Sequence, residues 1–195
     1  MRILTAACGE LDLSQIQPEQ IELRDLSAIQ LLFRFTGQTS RPWSVASHSC
    51  FVADIVSRLL HANSATWSWA LLHDAHEAYL GDLTVPLRES LGVAAADAIM
   101  SLSDRIDAAI IARAGLRREE IDFEAVELAD SIALASEIVH LFPDACSARH
   151  LPAVQRHWPL IQTLEPPEPK KQLWRDTVLE FWPGPSTPET PVGGV

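Results

Sequence analysis

Residues 71–88 read "LLHDAHEAYLGDLTVPLR". The stretch opens as the apolar side of a helix, then sets His73, Asp74, His76 and Glu77 into that pattern before reaching Gly81-Asp82. Trp69, Leu72, His73, Glu77 and Leu80 recur at helical spacing, which predicts a helix over 66–80. Gly81 is its expected C-terminal stop, and Pro86 lies beyond the end. On such a helix Glu77 follows His73 by four residues and Asp74 by three, so the three groups project toward one side.

The flanking sequence reads the same way. Pro42 breaks the chain and Ser44 is positioned to cap a helix running to about Leu60, with Val45, His48, Val52, Ile55 and Leu59 at steps of three and four. Further helices are predicted over 93–114 and 123–141, the latter with Phe123, Val126, Asp130, Leu134 and Leu141 along one side, and over 172–181. Residues 1–25 read as short strands or turns leading into a helix near "LSAIQLLFRF". Strand signals are otherwise scarce and no repeat is visible, so the expected fold class is all-α. One domain over 1–182 is expected, followed by a flexible tail over 183–195, "PGPSTPETPVGGV".

Composition limits the function. Hydrophobic residues make up 47% of the 195-residue chain and charged residues 21%. No apolar run reaches the roughly 18 residues of a membrane span. The opening "MRILTAACGELDL" lacks the features of a secretory signal, so a cytoplasmic product is expected, without a membrane partner. Cys8, Cys50 and Cys146 are widely spaced and suggest neither a thiolate metal site nor a disulfide framework. A formal net charge of -11 argues against long nucleic acid as a partner while leaving room for a small phosphate compound. Trp158 and Trp174 suit either a subunit interface, which would make the protein a homo-oligomer, or core packing.

His48 and Asp130 interrupt the apolar stripes of their helices, as His73 and Asp74 do theirs. Buried singly, an ionised carboxylate is strongly disfavoured. A divalent cation would compensate all four, and two imidazoles with two carboxylates form a mixed nitrogen and oxygen shell suited to Mn, Fe, Co, Ni or Zn. Taken one at a time, a satisfied core histidine and a helix-packing salt bridge are the ordinary readings of His48 and Asp130; the conjunction points to a metal. "HEAYL" lacks the second histidine of a zinc-protease helix, leaving His76 as a cavity or surface residue. No Gly-rich phosphate loop or GxSxG elbow is present.

The order His48, His73-Asp74, Asp130 resembles the signature of the HD-domain metal-dependent phosphohydrolases. The likeness extends to their branch of bacterial 5'-deoxynucleotidases and related phage deoxynucleotide triphosphohydrolases, at "RFTGQT" (34–39), "PWSVASHS" (42–49), "ALLHDAHEAYLGDLTVPLR" (70–88) and "ELADSIALASE" (127–137). The matching region covers about 29–140. It implies an HD-domain helical bundle with one divalent ion per chain, Mg added to the metals above, and a small nucleotide as substrate. The implied reaction is hydrolysis of a 2'-deoxynucleoside 5'-monophosphate. A deoxynucleoside triphosphate triphosphohydrolase and a non-catalytic metal-dependent nucleotide sensor are the rival readings.

The resemblance also implies roles. Glu77 would orient the attacking water or exchange a proton with the leaving oxygen, Asp82 would meet the sugar 3'-hydroxyl, and Arg34 would bind phosphate. Arg41 and Arg88 are further phosphate candidates. Phe35 stands where the bacterial enzymes have tryptophan, which keeps an aromatic wall and loses its N–H donor.

Overall fold

The computed structural model describes residues 2–142, 148, 150–170 and 173–184. The fold is all-α apart from one small antiparallel hairpin of β1 (Arg2–Thr5) and β2 (Gly9–Asp12), in which Ile3 pairs with Leu11. The helix expected near "LSAIQLLFRF" is replaced by a four-residue α1 (Leu23–Leu26) and a 3-10 turn (Ser27–Gln30). The chain then extends, and Phe33 bridges Ser44 in antiparallel fashion.

The central helix is α2 (Val45–Arg58). Ser44 caps it by accepting a hydrogen bond from the Ser47 N–H at 3.1 Å, which satisfies a donor that the first helical turn leaves unpaired. The helix buries Val45, Ala46, His48, Ser49, Phe51, Val52, Ala53, Ile55 and Val56. Burial this extensive fits an element packed on more than one side, and α2 does pack on both α3 (Ser64–Leu72) and α7 (Phe123–Leu141). Each buried large aliphatic side chain here contributes about 1.5–3 kcal/mol. Asn63 caps α3 and Asp122 caps α7, while the Asp122 N–H also donates to Thr66 Oγ1 at 2.9 Å, tying the starts of the two helices together.

The helix predicted over 66–80 is two helices. α3 ends at Leu72, residues 73–76 form a tightened turn, and α4 (Glu77–Leu80) follows. Within the turn the Ala75 N–H bonds the Leu72 carbonyl three residues back. Side chains take the carbonyls at the break: the His73 ring lies 2.8 Å from Ala70 O, and the Trp174 indole donates to Leu71 O at 2.6 Å. Gly81 closes α4 at φ 80, a conformation that costs a side-chain-bearing residue more than glycine. Pro86 lies beyond that end, as expected, and sits in the first turn of a further helix, α5 (Val85–Ser90).

α6 (Val93–Arg113) follows, packed on α5 and on the N-terminal segment. α8 (Pro152–Ile161), which the sequence reading did not predict, packs on α7. α9 (Leu173–Leu179) lies within the helix expected over 172–181. Trp174 is buried at 1% exposure and so belongs to the core, while Trp158 is half-buried against it. Arg113 donates to Gly184 O at 2.7 Å, so the expected tail is fastened where it begins; the rest of the tail, and Cys146, lie outside the described residues. No helix among the described residues is long and apolar enough to cross a membrane.

Candidate metal centre

The turn after α3 determines the site. By ending the helix at Leu72, it swings His73 and Asp74 toward α2 and α7 without requiring them to share a helical face with Glu77. His48 Nε2 on α2, His73 Nε2 and an Asp130 carboxylate oxygen on α7 converge within 4.8 Å of one another, a group that could hold a metal ion. His48 is fully buried; His73 and Asp130 are partly exposed. Asp74 Oδ2 lies 3.5 Å from His48 Nε2 and 3.4 Å from His73 Nε2, so the fourth predicted group is at the same place.

The donors suit a cation. His48 Nε2 and His73 Nε2 are both buried without a hydrogen-bond partner, although His48 Nε2 lies 2.9 Å from Asp130 Oδ1. Each imidazole is held through its other nitrogen. His73 Nδ1 faces Ala70 O at 2.8 Å, and His48 Nδ1 faces Glu137 Oε1 at 2.6 Å. With each Nδ1–H donating to its partner, both Nε2 atoms face the common point, where a cation would take the place of any proton.

Glu137, fully buried on α7, was not singled out in the sequence although it closes the "ELADSIALASE" segment. Its Oε1 also accepts from the Trp43 indole at 2.8 Å, and its Oε2 lies 3.4 Å from Arg34 Nε. The available signal was its spacing: it follows Asp130 by two helical turns within an apolar stretch.

Arg34 reaches the centre from a 3-10 turn (Arg34–Gly37), pairing with Asp74 Oδ2 at 3.2 Å and with Glu137. Phe35 and Thr36 in that turn have φ of 55 and 52, sparsely populated for residues with a Cβ. Asp82 accepts from the Phe35 backbone N–H, and the Phe35 ring packs edge-on against Phe142 at 5.2 Å. Arg34, Phe35 and Asp82 thus lie near one another.

Charge at the centre is strongly perturbed. Burial and the Arg34 guanidinium pull the His48 imidazole down, but Glu137 and Asp130 outweigh them and raise it to about 10. Burial pushes Asp74 up, yet His73, His48 and Arg34 together hold it well below the usual carboxylate range. Asp130 and Glu137 also end low, the His48 imidazole overcoming the burial of each. Glu77 goes the other way: burial, then Asp74 and Asp82, raise it to about 8. Its Oε2 is buried and unpartnered. In the metal-free protein this environment favours the protonated form of Glu77, which can donate a proton.

The two remaining candidates part company. Arg88 lines a small cleft with His76, Glu77 and Ser103, on the Glu77 side of the centre; His76 Nδ1 is held there by Asp107 at 3.0 Å. Arg41, the other predicted phosphate contact, pairs with a different part of the chain. Its guanidinium donates to the carbonyls of Pro166 at 2.8 Å and Pro167 at 3.1 Å, and it pairs with Glu168. Three acceptors from a distant segment, invisible to local spacing, hold it as a clamp. It lines a cavity of about 690 Å³ together with Phe33, Trp43, Ser44 and Cys50, and that cavity includes none of the four metal-directed residues. Enclosed volume and chemistry are separate here; the convergent donors, not the larger cavity, define the candidate site.

No family model matches the chain. Over 110 residues it is 36% identical to an uncharacterized protein of Rhodobacter capsulatus, covering 54% of this chain and 54% of that protein. Over 124 residues it is 30% identical to the uncharacterized protein YfdR of Escherichia coli, covering 63% of this chain and 62% of that one. The chain thus matches little more than half of the first relative's length and less than two thirds of the second's, and neither name states an activity.

Proposed function

We propose that this protein is a metal-dependent phosphohydrolase of the HD-domain type that converts a 2'-deoxynucleoside 5'-monophosphate to the deoxynucleoside and inorganic phosphate. The observation that carries this reading is the convergence of two imidazoles with the Asp130 carboxylate, near the buried Glu77 carboxyl. A divalent cation held by His48, His73, Asp74 and Asp130 would supply Lewis acidity toward the phosphoryl group and a water of lowered pKa.

The chain's own groups account for the remaining steps. Arg34, held on one side by Asp74 and Glu137, presents its other donors to the phosphate and offsets its charge. Asp82 accepts from the sugar 3'-hydroxyl, and Phe35 supplies an apolar wall. As the water oxygen bonds to phosphorus, the bond from phosphorus to the 5'-oxygen breaks. Glu77 gives its proton to that leaving oxygen and recovers one from the attacking water. Four groups drawn from three segments of chain, with an acid poised beside them, are more than a nucleotide sensor needs.

A triphosphohydrolase is the second reading, favoured specifically by the position of Arg88 in the cleft beside Glu77. Purified protein supplemented in turn with Mn²⁺, Co²⁺, Mg²⁺ and Zn²⁺ should be incubated with deoxynucleoside mono-, di- and triphosphates, with products separated by chromatography. Deoxynucleoside plus orthophosphate from the monophosphate is the expected result. Nucleotide binding without any product would leave the sensor as the reading.

A further inference from the structure

We infer that Glu137 is a positioning residue that sets two parts of the centre at once, the metal-directed face of His48 and the placement of Arg34, and that its two oxygens divide the task. The inference rests on the phosphohydrolase reading for the role of Arg34, but not for the role of His48.

Glu137 is fully buried on α7, where an ionised carboxylate persists only with strong partners. It has three, all from the stretch 34–48. Oε1 receives the Trp43 indole at 2.8 Å and faces His48 Nδ1 at 2.6 Å. Oε2 makes neither contact; it lies 3.4 Å from Arg34 Nε, and neither atom of this pair has a hydrogen bond. The Oε1 side therefore fixes the histidine: with the Nδ1 proton held there, the Nε2 lone pair must face Asp130 and His73. The Oε2 side is an electrostatic anchor for the arginine, whose far nitrogen reaches Asp74. The Trp43 indole fixes the rotation of the carboxylate, so the two oxygens do not exchange places.

This division predicts a separation that a merely structural carboxylate would not give. In Glu137→Gln the amide oxygen can still accept from Trp43 and His48, while the amide NH₂ replaces Oε2 and points donors at the Arg34 guanidinium. His48 keeps its orientation and Arg34 loses its anchor. In Glu137→Ala both are lost.

The test uses the full chain and two simple probes, Mn²⁺ alone and then inorganic phosphate titrated into the Mn²⁺-loaded protein, each followed by calorimetry, with circular dichroism to confirm folding. Glu137→Ala should weaken Mn²⁺ by about 10- to 100-fold, the usual cost of removing a residue that orients a ligand. Glu137→Gln should hold Mn²⁺ within about threefold of wild type and weaken phosphate by about tenfold, the scale of one lost charge-assisted contact. Wild-type Mn²⁺ affinity in Glu137→Ala would overturn the inference. So would equal effects on both probes in Glu137→Gln, a variant close enough in shape to fold where the alanine does not. Neither probe requires turnover, so a protein that hydrolyses no nucleotide would defeat the proposed function while leaving the Mn²⁺ result for Glu137 readable.

Discussion

His48 on α2 and Asp130 on α7 face each other across 2.9 Å, with Asp74 Oδ2 3.5 Å from the same imidazole nitrogen. Two carboxylates and the His73 ring gathered at one imidazole nitrogen form a donor set that could hold a metal ion. Purified protein should therefore hold about one transition metal per chain. Asp130→Ala should lose affinity by more than the roughly 10- to 100-fold that removal of a supporting residue costs. Elemental analysis after dialysis is the measurement, and full occupancy in Asp130→Ala would remove Asp130 from the ligand set.

Glu77 should behave differently, because it lies outside the group that could hold a metal and burial, with Asp74 and Asp82, raises its carboxyl to about 8. Glu77→Ala should retain its metal and lose roughly 100-fold or more in kcat, the scale of a positioned proton donor. Glu77→Gln should do the same, since the amide keeps the shape and lacks the acidic proton. Loss of metal from either variant would recast Glu77 as a ligand.

Metal uptake should release protons. In the metal-free protein the His48 pKa is raised to about 10, so at pH 7 the imidazole carries both protons, and a cation at Nε2 must displace one. Affinity for Mn²⁺ should then rise by about tenfold per pH unit between pH 7 and 9. The stability of the metal-free chain runs the opposite way. A folded-state pKa raised above the ordinary imidazole value of about 6.5 contributes stability that is fully present below that value and lost as pH rises through about 10. Glu77, raised from 4.5 to about 8, adds a decline of the same sign over its own window. Thermal melts in EDTA should fall across these ranges, and Mn²⁺ should restore stability most at the alkaline end. An Mn²⁺ affinity independent of pH would show that His48 is not protonated beforehand.

How far these features could be read in the sequence depended on how local their causes are. The helix over 123–141 is legible with its observed ends because Phe123, Val126, Leu134 and Leu141 keep helical spacing on either side of Asp130. The four metal-directed residues stood out as polar groups on apolar faces. The break at residues 73–76 did not, since no glycine or proline interrupts Leu71–Leu80 and the carbonyl of Leu71 is taken by Trp174 from 103 residues away. α8 was missed because Pro159 lies inside it and its sequence is mixed. Arg41 had no local partner to betray it, for its acceptors lie at Pro166 and Pro167. Glu137 belonged to a segment already quoted, but an acid two turns beyond Asp130 has no visible task until Trp43, His48 and Arg34 are folded onto it.

The last prediction concerns how many phosphates the substrate carries. Attack at the phosphorus next to the 5'-oxygen is common to a monophosphate and a triphosphate, so the choice rests on whether further phosphates meet cations. Of the two spare arginines predicted for that task, Arg41 is engaged by Pro166, Pro167 and Glu168. Arg88 remains, with no ion pair among the described residues, in the cleft beside Glu77. One arginine in a chain of net charge -11 is slender support for two added phosphates. The monophosphate should therefore be hydrolysed with a kcat/KM at least about tenfold above the triphosphate, a margin of about 1.4 kcal/mol. Arg34→Ala should raise KM for either. Arg41→Ala should change neither KM and instead lower stability by about 1–3 kcal/mol, since it loses charge-assisted bonds to two carbonyls. Arg88→Ala should leave monophosphate turnover within about threefold and reduce whatever triphosphate turnover exists, by about tenfold for one lost charged contact. Release of intact triphosphate from the deoxynucleoside triphosphate, far faster than orthophosphate from the monophosphate, would make Arg88 sufficient and the triphosphohydrolase the correct reading.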